Sequence, residues 1–360
     1  MFFPNLKIFT NNKKYSRSIS QTIDNKKMSF GPKCKFLENK LKKHLSVKYA
    51  ILTTSGTNAL MMAALSTKIK KNDKVLCSNA AWVAATNPFL IMGAKIVVSD
   101  TKKNSEIVDF DSLNKKIIQE KPKVVILVHL NGQPNYDEKF HKLKKKYKFF
   151  VIEDAAQAFL SKHNNKFCGT KYEIGCYSLS IAKPIHMVYG GLCVTNNKYL
   201  ANRLIAARNN GMFTKNEKNS LATTTGLNLK PSDIHASIGL ENFRNYKKIK
   251  KTLIQNSKIY EKKITNKKIK FLKPEGKEAI PNFAQVLVKN RSHFMKYCIK
   301  NKIGVSKGLR GLVETGLIKN KKIQNLKNSN DLSKRIVRIP FGSGYQKNEI
   351  LRITQVLNKY

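Results

Sequence analysis

The chain has little of what marks disordered proteins, disulfide scaffolds and metal-binding modules. Only 10 of its 360 residues are proline and 18 are glycine, while 41% are hydrophobic, which is the composition of a folded globular chain. Its six cysteines include no C-x-x-C pair and no Cys/His cluster at zinc spacing. We therefore expect reduced cysteines in a cytoplasmic setting and no bound metal.

Long hydrophobic runs are also missing. Residues 75–94 carry no charge, but Ser, Asn, Thr, Pro and Gly interrupt them, so this stretch is predicted to be buried interior rather than a membrane helix. The basic, serine-containing N-terminus faintly resembles a transit peptide, yet it lacks the apolar run and cleavage site of a secretory signal. The sequence thus predicts no membrane association and does not favour targeting.

Acidic residues are scarce. The chain has 22 Asp and Glu against 69 Lys and Arg, a net charge of +47, which raises the hypothesis of a nucleic-acid-binding protein. Lysines occur in every segment rather than on one arm, and abundant Lys, Asn and Ile are typical of A/T-rich coding. We therefore expect no nucleic-acid partner, and keep that class as an alternative that predicts steeply salt-sensitive binding. A diffuse positive field would still attract small anionic substrates.

Strand and helix patterns alternate along the first two thirds of the chain. Continuous apolar runs predict strands covered on both faces at 74–78, 95–100, 123–130, 149–154 and 191–196. Helical patterns lie between them, at 111–120 and 136–148. This alternation predicts an α/β fold with a mostly parallel, helix-covered sheet.

The pattern of predicted strands and helices changes after about residue 240. A long charged helical stretch covers 242–268, short strand candidates follow, and an amphipathic helix ends the chain at 347–360. We therefore predict a large domain over 1–240 and a smaller α+β domain over 241–360.

Two segments place polar groups where an α/β sheet binds ligands. Residues 54–60 form a Ser/Thr/Gly turn that enters an apolar helix, so free backbone N–H groups could hold a phosphate, or the turn could simply cap the helix. The strand at 149–154 ends on Asp154, at the carboxyl edge where ligands bind, although the acidic pair there could equally cap the next helix.

Two further segments are less specific alone. Lys183 lies in an apolar, small-residue stretch at 178–184, where burial would lower its pKa and make its amine a nucleophile, unless it is an ordinary surface lysine. Residues 226–234 form a loop that Ser232 would cap into a helix. The single tryptophan, Trp82, could be core or could stack on a planar cofactor.

Together these segments resemble the DegT/DnrJ/EryC1/StrS family of pyridoxal-phosphate-dependent sugar aminotransferases, from about residue 31 to the C-terminus. The pieces that match occur in the family's order: GPKCKFLE, the S-G-T turn, Trp82 to Asn87, the strand ending HLNGQ, EDAAQ, S-x-x-x-x-K, Gly190-Gly191 and G-x-N-x-K-P-S-D-I. The resemblance implies a fold with a large cofactor-binding domain and a smaller C-terminal domain.

The resemblance assigns roles around the cofactor ring. It makes Lys183 the Schiff-base lysine and the proton shuttle, and it places the Asp154 carboxylate against the pyridine nitrogen, which is thereby kept protonated. Trp82 would stack on the ring, and Gln157 would lie beside its phenolic oxygen. Lys183 and Asp154 are therefore the predicted catalytic residues.

The phosphate has its own predicted set. Gly56, Thr57 and Ser178 would hold it, and Asn228 would reach it from the partner subunit of a homodimer with shared active sites. The implied reaction moves an amino group, usually from glutamate, to a keto sugar on a nucleoside diphosphate, for amino-sugar and surface polysaccharide synthesis. Family members that dehydrate sugars carry histidine in place of the lysine, so Lys183 favours amination.

The chain departs from the family pattern in three places. Val188-Tyr189 stand where a glycine and an acidic or amide residue are common, Lys230 replaces the usual arginine, and residues 303–314 stand in place of a Tyr-Pro and histidine segment. Since a lysine keeps the charge but loses the arginine fork, nucleotide recognition is open to change. Two alternatives therefore keep the fold and cofactor: a non-nucleotide keto acceptor, or a catalytically idle protein.

Overall fold

The computed structural model describes residues 1–213, 222, 224–318 and 326–360. Its α-helices are α1 Asn12–Asp24, α2 Pro32–Leu45, α3 Gly56–Ser66, α4 Asn87–Ile91, α5 Phe110–Glu120, α6 Glu138–Tyr147, α7 Lys198–Arg208, α8 Asp233–Arg244, α9 Tyr246–Lys263, α10 Arg291–Lys300, α11 Lys327–Arg335 and α12 Lys347–Asn358. Within these residues, no helix combines the length and the apolar character needed to cross a membrane.

The strands form two principal sheets and one small hairpin. They are β1 Tyr49–Thr53, β2 Lys74–Ser78, β3 Lys95–Ser99, β4 Val124–Val128, β5 Phe150–Asp154, β6 Lys162–His163, β7 Lys166–Phe167, β8 Ile174–Ser178, β9 Gly191–Thr195, β10 Ile269–Phe271, β11 Ala284–Val288, β12 Ser306–Lys307 and β13 Ile336–Ile339. The hairpin consists of β6 and β7.

The large sheet has the strand order β1-β9-β8-β5-β4-β2-β3. Pairing is parallel from β8 through β5, β4 and β2 to β3, and antiparallel on both sides of β9. The prediction of an α/β fold with a mostly parallel sheet is confirmed.

Burial on both faces explains the continuous apolar strands. In β4, Val124, Ile126 and Val128 pack in one hydrophobic cluster with residues of α3 and α7, whereas Val125 and Leu127 pack in another with residues of α5 and α6. All five residues of β4 are buried. Since successive side chains point to opposite faces, only a strand between two helical layers can be apolar throughout.

The predicted helices at 111–120 and 136–148 are present as α5 and α6. Asp109 caps the first through the backbone N–H groups of Asp111 and Ser112, and Asp137 caps the second through that of Phe140. Strands β1 and β8 were not predicted. The sequence of β8, IGCYS, mixes glycine and serine with apolar residues, so its five buried positions do not form a hydrophobic run.

A second, antiparallel sheet has the order β10-β11-β13-β12, and α9 and α12 pack against each other beside it. The first residues of the chain join this part of the protein: Phe3 bridges to Ile303, and Leu6 bridges to Phe341. The N-terminal segment is therefore packed structure. The domain boundary at residue 240 stays a prediction.

One carboxylate links two of the segments singled out in the sequence. Asp233, the first residue of α8, accepts hydrogen bonds from the backbone N–H groups of Gly31, Lys33 and Cys34 at the start of α2. A buried carboxylate that satisfies three free N–H groups stabilises the helix it caps. The S-D-I segment thus has a structural role in holding α2 in place.

Candidate functional site

A cavity of about 370 Å³ opens at the carboxyl ends of the parallel strands. Seven of the eight residues predicted to bind the cofactor line it: Gly56, Thr57, Trp82, Asp154, Gln157, Ser178 and Lys183. Residues from the ends of β1, β2, β5 and β8 meet there because parallel strands end at one edge of the sheet. The structure therefore brings together segments that are more than a hundred residues apart in sequence.

The floor of the cavity at the start of α3 is shaped to hold an anion. The Ser55 hydroxyl accepts the backbone N–H of Asn58 and so caps this 11-residue helix. A Cβ atom on Gly56 would lie 2.7 Å from the Cβ of Ser178, so only glycine allows this close approach. The hydroxyls of Ser178 and Ser180 lie 3.2 Å apart beside it. Free N–H groups and two hydroxyls suit a phosphate.

Asp154 is the last residue of β5 and is almost fully buried. One oxygen of its carboxylate accepts the backbone N–H of Ala156 at 3.1 Å. Burial raises the pKa of this carboxyl above its usual value, while the Ala156 hydrogen bond and the charge of Lys183 act in the opposite direction. A buried carboxylate facing a cavity is stabilised by a cationic N–H group, such as a protonated pyridine.

A network of hydrogen bonds beneath Asp154 fixes the end of β5. The fully buried Glu153 carboxylate accepts five hydrogen bonds, from His129 Nε2, Tyr136 Oη and the backbone N–H groups of Gly169, Lys171 and Tyr172. Burial alone would raise the pKa of Glu153, but the hydrogen bonds from His129 and Tyr136 hold it below its usual value. Glu153 is therefore a buried anion that immobilises the strand.

His129 belongs to the same network and also lines the cavity. Its Nδ1 accepts the backbone N–H of Asn135 at 3.0 Å, so the ring proton must be on Nε2, which donates to Glu153 at 3.1 Å. Both ring nitrogens are thus engaged, and His129 acts as a rigid wall of the site.

Lys183 lies in the loop between β8 and β9, and its backbone N–H donates to the carbonyl of Ser180. Its Nζ is 5.7 Å from the centroid of the Phe283 ring. Burial, together with the nearby positive charge of Arg338, lowers the pKa of the amine to about 8, although Asp154 acts in the opposite direction. The lysine is thus partly unprotonated near neutral pH, as a nucleophilic amine requires.

A pH dependence follows for the protein without cofactor. We expect the rate of pyridoxal phosphate incorporation to rise between pH 7 and 9 with a midpoint near 8, because only the unprotonated Lys183 amine attacks the aldehyde. About a tenth of the amines would be reactive at pH 7, compared with fewer than about one in a thousand for an ordinary lysine. Stopped-flow absorbance of the apo protein measures this profile. A midpoint above pH 10 would contradict it.

Gln157 is oriented by the chain itself. Its Oε1 accepts the backbone N–H of Asn131 at 2.9 Å, which leaves the amide NH₂ group as a donor. Trp82 lies at the mouth of the cavity with 58% of its surface exposed, so its ring is available for stacking. Both placements fit the predicted contacts with a planar ring that carries a phenolic oxygen.

Asn228 does not line the cavity of its own chain. It lies in an exposed segment, and its backbone bridges to Asn209. This placement leaves its side chain available to another molecule, which is compatible with the predicted contact across a dimer. Lys230 is exposed on the same segment.

Val188 and Tyr189, which together form the first departure from the family pattern, lie in the Lys183 loop. Val188 has a φ of 67°, a left-handed conformation that is rare for a β-branched residue. Tyr189 lines the cavity and is 68% exposed. The third departure, residues 303–314, docks on Asn79, which accepts the backbone N–H groups of Leu312 and Val313.

Two of the cavity residues that were not predicted from the sequence come from a distant part of the chain. Phe283 and Arg338 come from the region of the second sheet, immediately before β11 and within β13 respectively. The Arg338 guanidinium lies 3.9 Å from the centroid of the Phe283 ring. The only signal in the sequence was the arginine inside the short apolar strand IVRI. This pattern does not reveal which groups the arginine faces in the fold.

Pyridoxal phosphate fits this set of groups. The cavity offers an anion cradle at α3, a buried carboxylate for a protonated ring nitrogen, an amide donor, an exposed aromatic face and a lysine with a lowered pKa. Each group matches one chemical feature of the cofactor. The individual contacts stay predictions.

Comparison with known proteins gives a consistent result. The model of the DegT/DnrJ/EryC1/StrS aminotransferase family matches residues 10–358. A GDP-perosamine synthase of Escherichia coli O157:H7 is 26% identical over 327 residues, which are 90% of this chain and 88% of that protein. A GDP-4-keto-6-deoxy-D-mannose 3-dehydratase of Yersinia pseudotuberculosis is 24% identical, covering 85% of this chain and 83% of that protein.

Among solved structures, PseC of Helicobacter pylori, an aminotransferase involved in the biosynthesis of pseudoaminic acid, superposes with a TM-score of 0.93. The match covers 100% of this chain and 99% of that one at 20% sequence identity. At such an identity the likeness establishes the fold.

Proposed function

The chain belongs to the DegT/DnrJ/EryC1/StrS aminotransferase family, and on this basis we propose that it transfers an amino group from glutamate to a keto sugar carried on a nucleoside diphosphate. It is a pyridoxal-phosphate-dependent aminotransferase of amino-sugar biosynthesis, as the sequence predicted. The observation that carries the proposal is the lysine of lowered pKa facing a buried carboxylate in one cavity.

The bound cofactor supplies an electron-accepting ring that stabilises negative charge on the substrate carbon. Asp154 holds the proton on the ring nitrogen, and its burial strengthens that interaction. Lys183 Nζ removes the proton from the donor carbon and later delivers one to the acceptor. The start of α3 and Ser178 hold the phosphate, so the ring keeps a fixed position relative to both groups.

A homodimer with shared sites is part of the proposal. Asn228 is exposed on its own chain and lies outside the cavity, so it can complete a phosphate site only in a partner. Exposed apolar residues near the site support this arrangement. Leu227, next to Asn228, is 44% exposed, and Ile181 in the Lys183 loop is 47% exposed. Such residues are typical of the centre of an interface.

A sugar dehydratase is the second candidate, since one relative carries that name. Lys183 favours amination, because the dehydratases of this family are expected to carry histidine at this position. The related alternatives, a non-nucleotide acceptor and a catalytically idle protein, differ in whether amine transfer occurs and to which keto compound. These possibilities can be separated by two measurements.

The first measurement is the visible absorption spectrum of the protein with pyridoxal phosphate, before and after glutamate is added. We expect a yellow band from covalent attachment of the cofactor to Lys183. It should bleach with glutamate, because the amino group of the donor would pass to the cofactor and the donor would leave as its keto acid. The second is amine formation from a panel of nucleotide-linked and free keto sugars. A band insensitive to every amino acid would indicate the idle protein, and no band would overturn the proposal.

A further inference from the structure

Arg338 is a cation inside the cavity, and no carboxylate of the described residues forms an ion pair with it. Its buried Nε has no hydrogen-bond partner among those residues. Its guanidinium carbon, Cζ, lies 3.9 Å from the centroid of the Phe283 ring. An arginine that is held by an aromatic ring but unpaired is preorganised for an anion from outside the chain.

The surroundings hold this arginine in place. Gln285 is directly opposite Arg338 in the register of β11 and β13. The Gln285 amide accepts a hydrogen bond from Asn131 Nδ2 at 2.6 Å and donates one to Glu106 Oε1 at 2.9 Å. Each member of this chain of hydrogen bonds is buried, so the wall behind Arg338 is rigid.

Glu106 is the negative charge behind that wall. Its carboxylate is fully buried, and its Oε2 has no partner among the described residues. Glu106 and Arg338 influence each other electrostatically, but they form no ion pair within 4.0 Å. Glu106 therefore offsets part of the arginine's charge and leaves the guanidinium edge available for a ligand.

We propose that Arg338 binds the carboxylate of the amino-acid donor and so selects α-amino acids as the source of the amine. This inference rests on the proposed aminotransferase function. In such a donor the carboxylate is attached to the carbon that Lys183 must deprotonate. Lys183 Nζ and Arg338 Cζ lie 5.7 and 3.9 Å from the centroid of the same Phe283 ring, so they are less than about 10 Å apart. A small amino acid spans the two groups.

The position of Arg338 favours a carboxylate over the phosphates of a sugar nucleotide, whereas the guanidinium fork itself pairs with either anion. Arg338 lies within about 10 Å of Lys183, close to where the reacting carbon must be, whereas the diphosphate of a sugar nucleotide is separated from the keto carbon by the sugar ring. The donor carboxylate is the anion that has to be near the reacting carbon.

The test measures binding of maleate, a dicarboxylate without an amine, to the cofactor-loaded protein by isothermal titration calorimetry. We expect Arg338→Gln to weaken maleate binding by at least about tenfold and Arg338→Lys to weaken it less, since lysine keeps the charge but loses the fork. Arg352→Gln, an exposed arginine on α12, removes the same charge elsewhere and should leave the affinity unchanged. Retained visible absorption and an unchanged far-ultraviolet spectrum verify that each variant is folded and loaded.

Three outcomes would overturn the proposal. These are no maleate binding by the wild type, equal affinities of wild type and Arg338→Gln, and equal losses in Arg338→Gln and Arg352→Gln. A loss of UDP or GDP binding in Arg338→Gln with maleate binding intact would assign the arginine to the acceptor and would also overturn it. Failure of the keto-sugar assay would instead refute the proposed acceptor. It would not change the conclusion about Arg338 drawn from maleate binding.

Discussion

Replacing Lys183 by alanine should lower amine transfer by about 10⁴-fold or more, because the variant loses both the covalent attachment of the cofactor and the base that moves the substrate proton. The yellow band of the loaded wild type should be absent even at saturating cofactor. Cofactor that still binds non-covalently would absorb like the free aldehyde. Amine formation from a keto sugar, with the absorption spectrum of the same sample, measures both effects.

The control for this experiment is Lys115→Ala, which removes an exposed lysine from α5 outside the cavity. It should keep the wild-type spectrum and rate, since isolated surface charges contribute little. Turnover by Lys183→Ala within tenfold of the wild type would show that another group carries the proton. The absence of turnover in both the wild type and the variant would indicate the idle protein.

Replacing Asp154 by asparagine should reduce turnover by about 10²- to 10³-fold, the usual effect of losing one preorganised electrostatic contact in an active site. Asparagine keeps the shape of the side chain, but it lacks the negative charge that holds a proton on the ring nitrogen. The ring then accepts electrons less well. Steady-state rates over a range of glutamate concentrations should show the loss in kcat rather than in KM alone.

The Asp154→Asn variant should lose turnover without losing thermal stability. Because burial raises the folded-state pKa of Asp154 above its unfolded value, the ionised carboxylate costs folding free energy at every pH above both values. At pH 7 the apo form of Asp154→Asn should therefore unfold at an equal or higher temperature than the wild type. This difference should shrink as the pH falls through the folded-state pKa, where the carboxyl becomes neutral.

Asp111→Asn is the matched control, because its carboxylate is 91% exposed on α5 and does not line the cavity. It should affect neither turnover nor the unfolding temperature. A lower unfolding temperature for Asp154→Asn together with lost activity would indicate that Asp154 has a structural role. An unchanged rate would exclude its interaction with the ring nitrogen.

The strands predicted from the sequence are the ones with a strong local signal. Strand β4 is apolar throughout because helices cover both of its faces, and this pattern can be recognised in one sequence. Strand β8 is equally buried, but its glycine and serine are there to allow close packing and to line the cavity. Such positions carry no periodic signal, so β8 was missed.

The candidate site residues were indicated by local motifs. Lys183 could be singled out because a lysine is unusual in an apolar, small-residue stretch, and Gly56 and Asp154 because they lie where an α/β sheet binds ligands, although both could equally be helix caps. Their roles came from the order of the motifs and their resemblance to a family, which the family match over residues 10–358 confirms. The roles of individual residues stay predictions.

The sequence by itself determined the layered α/β fold, because the fold depends on hydrophobic periodicity, and its short contiguous motifs resembled those of a family whose cofactor is known. Only the tertiary structure decided that Arg338 and Phe283, from the second sheet, face Lys183, and that Asp233 caps α2. Such contacts join residues far apart in the chain, and no local pattern specifies them. They form when the elements pack, which is also when Lys183 and Asp154 become buried and acquire their shifted pKa values.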